Sequence, residues 1–285
     1  MSSDDSGGGD ESASSTRNGR YLYCVVRRDD DAAASFDVSG VDGAPLTLVS
    51  AGGLSAVVHD RDEPYESDET TQVRDWLYDH QSAVERVGET FGTPVPFRFD
   101  TIVRGGDEAV RAWLDANAET LNEALTALDG RWEYRVEVEW DREALVDRLT
   151  EDDERLAELD DRLADASEGT AFLVEKQYDR RVSELVTERR RTRSASLDEE
   201  LRRRTAEVVE LGDAPQTPLT ETPSGPTARF AVLADDDERD AVGSYLDTIA
   251  DEDGASVRYT GPWPPYTFAP DACAPTGEDG PGPAE

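Results

Sequence analysis

Carboxylates outnumber cationic side chains 65 to 29 along this chain, and no fold can bury the resulting formal charge of −36. An ion taken out of water without a partner loses several kcal/mol of hydration, so nearly all of these groups must stay at the surface. Their mutual repulsion opposes compaction, and salt relieves it as the Debye length falls to about 3 Å at 1 M. Lys176 is the only lysine, and every other cation is an arginine. Such a surface suits a salt-rich cytoplasm or a basic partner, and it argues against direct nucleic-acid binding, because phosphate needs net positive charge. Cooperative unfolding is therefore expected only in molar salt. A denaturation curve that is fully cooperative in dilute buffer would contradict this reading of the charge.

Apolar residues make up 36% of the 285 positions, which at this length supports two small cores or one large domain. The apolar runs show where those cores begin. "RYLYCVV" from Arg20 is β-branched and aromatic, dense enough for a strand buried on both faces. "PLTLVS" and "GLSAVVH" read as strands joined at Gly52-Gly53. In "DETTQVRDWLYDHQSAVERVGE", Val73, Trp76, Leu77, His80, Val84 and Val87 recur at helical spacing. "TPVPFRFDTIV" is extended, with Pro94 and Pro96 excluding a central strand position. "DEAVRAWLDANAETLNEALTAL" reads as one amphipathic helix through Val110, Trp113, Leu114, Leu121, Leu125 and Leu128.

"WEYRVEVEW" alternates as a half-buried strand does. Beyond it the period changes. Leu145, Leu149, Leu156, Leu159 and Leu163 keep a heptad-like spacing broken at Asp152; Ala171, Val174, Tyr178, Val182 and Leu185 continue after Gly169. Leu197, Leu201, Val208 and Leu211 follow the same helical logic. Helices this poor in apolar residues need a partner, so the segment is expected to form an antiparallel, coiled-coil-like hairpin. After the Pro/Thr loop "GDAPQTPLTETPSGPT", the runs "ARFAVLA", "DDDERDAVGSYLDTIADED" and "ASVRYTG" read as a β-α-β unit sharing a sheet with "WEYRVEVEW".

The expected fold class is α+β with two domains. Residues 1–19 form a disordered acidic tail, residues 20–130 the first domain, and residues 131–270 the second, with the hairpin over about 141–212. Residues 271–285 read as a second disordered tail. No apolar run reaches a membrane span or a signal peptide, and the two cysteines form no paired framework, which fits a reducing cytoplasm.

Little points to catalysis. The two histidines, His59 at a strand end and His80 on a helix stripe, read as structural. There is no nucleophile elbow and no phosphate loop. Gly105-Gly106 is followed by Asp107 and Glu108, which repel phosphate and favour a helix N-terminus. The acidic runs "EDDERLAELDD" and "ADDDERD" lack the order of a calcium loop and read as helix starts. No cofactor, metal or small-molecule substrate is expected.

Three features read as contact surfaces. Arg180, Arg181, Arg189, Arg190, Arg191, Arg193, Arg202, Arg203 and Arg204 either pair with acids along the hairpin or form a basic stripe for an acidic partner. "TGPWPPYTF" near the end has three prolines and three rings and no charge. Its prolines exclude helix and restrict ladder pairing. Trp263, Tyr266 and Phe268 either seal the second core or anchor a partner. The third is the segment around Phe97, Arg98 and Phe99.

"YLYCVV", "TPVPFRFDTIV" and "GPWPPYTF", in that order, resemble the gas vesicle protein F/L family, and the resemblance spans roughly residues 20–268. One position departs: Asp100 stands where the family pattern has a glycine. The resemblance implies a non-enzymatic, cytoplasmic accessory protein of the gas vesicle. Such a protein acts in nucleation and assembly through contacts with the shell protein or other accessory proteins. It also implies a first domain of modified ferredoxin-like form and a second carrying a helical coiled coil. The acidity and near absence of lysine are those of a haloarchaeal member. The candidate partner-binding residues are Phe97, Arg98, Phe99, Arg189, Arg190, Arg191, Trp263 and Tyr266. Two other readings remain: a carboxylate-bound metal enzyme, and a coiled-coil adaptor unrelated to vesicles.

Overall fold

The computed structural model describes residues 18–141, 144–146, 148–149, 153–212 and 227–273. Most of both expected tails, Asp152 and nearly all of the Pro/Thr loop lie outside these residues. Within them the chain forms two compact units. The first takes the chain up to Phe91 together with Pro96–Asn122 and the segment from Pro270; the second takes Gly92–Val95 and Glu123–Ala269.

The first unit is built on strands β1 (Gly19–Arg27), β2 (Thr47–Ala51), β3 (Leu54–Asp60), β4 (Val95–Pro96) and β5 (Ile102–Arg104). The order is β2-β3-β1-β4, with β5 also pairing β1, so β1 is central, as its unbroken apolar run requires. β1 runs antiparallel to both β3 and β5, and Pro94 and Pro96 fall at the margin where a missing N–H is tolerated. Helix α1 (Asp30–Ala34) is a short cap on the connection to β2. Helix α2 (Thr70–Phe91) buries His80, Ala83, Val84 and Val87 against Tyr21, Tyr23 and Val57. Leu77 departs from the expected stripe: it is 46% exposed, beside Tyr78 at 71%. The six apolar positions from Val110 to Leu128 are all buried, but the helix is broken into α3 (Gly106–Ala116) and α4 (Ala118–Ala127), with Leu128 just beyond α4. The break is at Asn117, whose side-chain amide donates to the Trp113 carbonyl at 2.8 Å and competes with the helix.

The second unit holds β6 (Trp132–Trp140), β7 (Glu207–Glu210), β8 (Thr227–Ala234) and β9 (Ala255–Trp263), in the order β7-β8-β6-β9 with β6 antiparallel to β8 and β9. Helix α7 (Asp236–Ala250) connects β8 to β9, so the β-α-β unit straddles β6 as its sequence indicates. Tyr134, Val136, Val138 and Trp140 bury one face of β6 against Phe230, Val232, Val242 and Leu246. Two further helices, α5 (Glu154–Ala164) and α6 (Glu168–Arg202), pack together through Leu156, Val182 and Val186, joined by Leu145 and Leu149. Helix α6 reaches the sheet with Leu197 and Leu201 and stops at Arg202. Val208, which fits a continued helix by spacing, lies instead in β7, where it pairs with Val232; Leu211 follows that strand. The acidic runs serve as caps. Asp153 accepts from Leu156 N, and Asp235 with Glu238 forms a reciprocal capping box. Asp271–Cys273, inside the stretch read as a tail, forms a 3-10 turn with Cys273 buried.

Candidate interaction site

The C-terminal aromatic segment is folded onto β6. The strand continues through Pro262 to Trp263, beyond where its prolines suggested, because β9 is an edge strand and the register shifts there: Arg135 faces Thr260 and Glu133 faces Trp263. Gly261 makes this shift possible. Its φ is +132°, and a Cβ there would lie 2.7 Å from Tyr134 Cδ1 and 2.9 Å from the Glu133 carbonyl oxygen. Pro264 to Phe268 then turn back, with Tyr266 N donating to the Pro264 carbonyl and Phe268 N to that of Pro265.

A buried carboxylate fastens this turn. Glu133 is 1% exposed, although the strand alternation places it among polar, outward positions. It accepts from Thr267 N at 2.8 Å and Thr267 Oγ1 at 2.9 Å, and pairs with Arg135 Nε at 2.5 Å. Arg135 also donates to Thr267 Oγ1 at 3.1 Å, closing a three-residue clamp. Pro264 and Pro265 are buried, while Trp263 and Tyr266 are half-buried. The rings therefore both seal the unit and present an edge to solvent, with Trp263 Nε1 directed at Thr260 Oγ1.

The arginines divide into two groups. Arg181 pairs with Asp153 at 2.6 Å, Arg193 with Glu252 at 3.3 Å, Arg202 with Asp198 at 2.8 Å, and Arg203 and Arg204 with Glu200. Arg193 and Arg204 also lie over the rings of Trp140 and Tyr245. Arg180, Arg189 and Arg191 are exposed and make no ion pair or hydrogen bond among the described residues. Arg190 is exposed as well and has other interactions.

The first-unit candidates separate in another way. Phe97 is wholly buried, 5.3 Å from the Trp113 ring, so its side chain is core rather than contact surface. Phe99 is half-buried against Tyr21, Tyr65 and His80. Arg98 between them is exposed. One polar relay holds the segment, and a second lies beside it. Asp100 N donates to Tyr21 Oη, which lies 2.8 Å from His80 Nδ1; His80 Nε2 is 3.1 Å from the Phe97 carbonyl. Because a carbonyl only accepts, Nε2 carries the proton and Nδ1 accepts from the tyrosine. In parallel, Val41 N donates to Tyr23 Oη, 2.9 Å from His59 Nδ1. Burial pushes both imidazoles down to about 4 and both tyrosines up, so all four side chains are neutral at pH 7.

Asp100 does what a glycine would do and adds a bond. Its φ is +69°, and its carboxylate, raised by burial, accepts from Tyr65 N at 3.0 Å. Replacing it with glycine relieves the left-handed conformation and loses that bond, for an expected net change under about 1 kcal/mol. Alanine has neither advantage and is expected to cost about 2 kcal/mol in urea denaturation; equal effects of the two substitutions would refute this account.

Among the described residues no three of His, Cys, Asp and Glu come together as a metal-binding group, and no helix is long and apolar enough to cross a membrane. The chain belongs to the gas vesicle synthesis protein GvpL/GvpF family, which matches it over residues 19–270. Among its relatives, gas vesicle protein L1 of Halobacterium salinarum is 42% identical over 88% of this chain and 90% of that protein. Gas vesicle protein L of Haloferax mediterranei is 37% identical over 84% and 75%. The crystal structure of gas vesicle protein GvpF from Microcystis aeruginosa has the same fold, with a TM-score of 0.63 at 20% identity over 88% of this chain and 99% of that one.

Proposed function

We propose that this protein is a minor component and assembly factor of the gas vesicle, acting in nucleation and growth of the shell by binding the shell protein, other accessory gas vesicle proteins, or both. The observation that carries this reading is the family match over residues 19–270, with L-type relatives at about 40% identity. Its physical rationale is that shell subunits are apolar and aggregation-prone. A partner of charge −36 keeps an exposed apolar surface in solution until it is built in.

The reading assigns the chain no catalysis, cofactor or small-molecule substrate, and places it in the cytoplasm and on the vesicle. It takes the first unit as a modified ferredoxin-like domain and α5–α6 as a coiled-coil hairpin. Contacts are made by Arg98, Arg189, Arg190, Arg191 and the solvent edges of Trp263 and Tyr266; Phe97 and Phe99 contribute by positioning Arg98. The test is affinity capture of the tagged chain at molar salt, followed by crosslinking. Recovery of vesicle proteins with crosslinks at these residues supports the proposal. Recovery of none of them would sink it.

A further inference from the structure

Helix α6 carries two exposed patches of opposite chemistry on one face. Leu173, Arg180, Glu184, Thr187 and Arg191 recur at helical spacing on the side away from Val174, Tyr178, Val182 and Val186, and all five are exposed. At the α5–α6 end, Phe172 and Leu173 are each 60% exposed, an unusual state for two adjacent large apolar side chains in so polar a helix. The surface around them is acidic: Asp160, Asp161, Asp165 and Glu175 are exposed, with Lys176 and Arg162 the cations nearby in sequence.

The other end of the same face is cationic and concave. A groove of about 840 Å³ opens between α6 and the start of β8, with Arg190, Arg191 and Arg229 among its walls and Ala195, Leu211 and Ala228 supplying apolar surface. Its two carboxylates are already engaged, Asp198 with Arg202 and Glu210 with Ser194. Arg191 is exposed and has no ion pair or hydrogen bond among the described residues.

We propose that a second copy of this chain docks antiparallel along α6, placing the Phe172–Leu173 tip of each copy in the arginine-lined groove of the other. The face is complementary to itself under a two-fold axis level with Val182. Leu173 and Arg191 are equidistant from that level, and so are Arg180 and Glu184. One rotation therefore sets Leu173 against Arg191 and Arg180 against Glu184, twice each, as an isologous interface requires. The contact runs about 27 Å, the rise of the helix from residue 173 to 191. An arginine guanidinium packs flat on an aromatic ring while its stem covers apolar surface, so Arg190 and Arg191 suit Phe172 and Leu173 in both respects. The acidic rim favours this occupant over an anionic lipid surface, which it would repel.

Two copies of −36 repel one another, so association needs salt that screens the long range and leaves the close contacts. The test is sedimentation equilibrium of the full chain across protein concentrations at 2 M salt. A monomer–dimer equilibrium is expected for the native chain. The double substitution Phe172→Glu and Leu173→Glu is expected to weaken it at least tenfold, with an unchanged melting curve because both side chains are exposed. Exchanging the central pair (Arg180→Glu with Glu184→Arg) should keep the dimer, whereas Glu184→Arg alone should weaken it. As a second reading, equal mixtures of Leu173→Cys and Arg191→Cys chains should form an oxidised heterodimer. A native chain that stays monomeric, or a dimer indifferent to the tip substitutions, would overturn the proposal.

Discussion

Lowering the pH from 6.5 to 4 is expected to remove up to about 2.5 kcal/mol of stability for each of His59 and His80 in the first unit. Both imidazoles are held near 4 in the folded chain by burial, against an ordinary value of 6.5. Between these values the unfolded chain binds protons that the folded chain refuses, so stability is complete above about pH 6.5 and falls as the pH drops through the window. Geometry explains the refusal. A proton on His80 Nδ1 would meet a tyrosine hydroxyl whose own hydrogen points at it, and that hydroxyl already accepts from Asp100 N. Val41 N occupies Tyr23 in the same way beside His59. Both relays would have to break, exposing Tyr21 and Tyr23, which are fully buried. Urea titrations at fixed molar salt from pH 7.5 to 4.5 measure the loss, and proton resonances of the imidazoles should show no titration above pH 5. Imidazoles titrating near 6.5 would contradict the account. The double substitution His59→Gln and His80→Gln should lower stability at pH 7 and flatten its pH dependence.

Removing the clamp is the second large effect. Glu133→Ala is expected to destabilise the second unit by about 3 kcal/mol, because three charge-assisted bonds to Thr267 and Arg135 disappear together. The cost stays below that of orphaning a buried cation, since the Arg135 side chain is 41% exposed and is rehydrated. Gly261→Ala should be at least as harmful. A methyl group 2.7 Å from the Tyr134 ring and 2.9 Å from a backbone oxygen has no room, and φ is +132°. Thermal melts at molar salt, together with limited proteolysis after Tyr266, would show both effects. Loss of stability without release of the segment would mean that the clamp does not hold it.

The elements legible in the sequence are those whose side chains state their surroundings. β1 is buried because it is uniformly apolar, β6 is half-buried because it alternates, and Gly52-Gly53 turns between β2 and β3. What escaped depends on partners far along the chain. Glu133 looks like any outward strand residue until Thr267, 134 positions later, is placed against it. Val208 fits a helical spacing as well as a strand, since a short apolar run carries no decisive period, and its pairing with β8 decides. Asn117 sits inside a convincing amphipathic pattern, and only its bond to Trp113 marks the break. Among the candidate contacts, Phe97 falls in the segment read from the sequence as a contact surface. The Trp113 ring against it makes it core. The arginine stripe is visible as a composition, but which arginines lack acids among the described residues, Arg180, Arg189 and Arg191, required the helix face and its neighbours.

The central claim is that this protein works through contacts that build the vesicle. Deletion of its gene in the vesicle-forming host, scored by electron microscopy and by flotation, tests it most directly. The account predicts absent or misshapen vesicles, restored by the native gene in trans. Vesicles of normal number and shape in the deletion strain would contradict it.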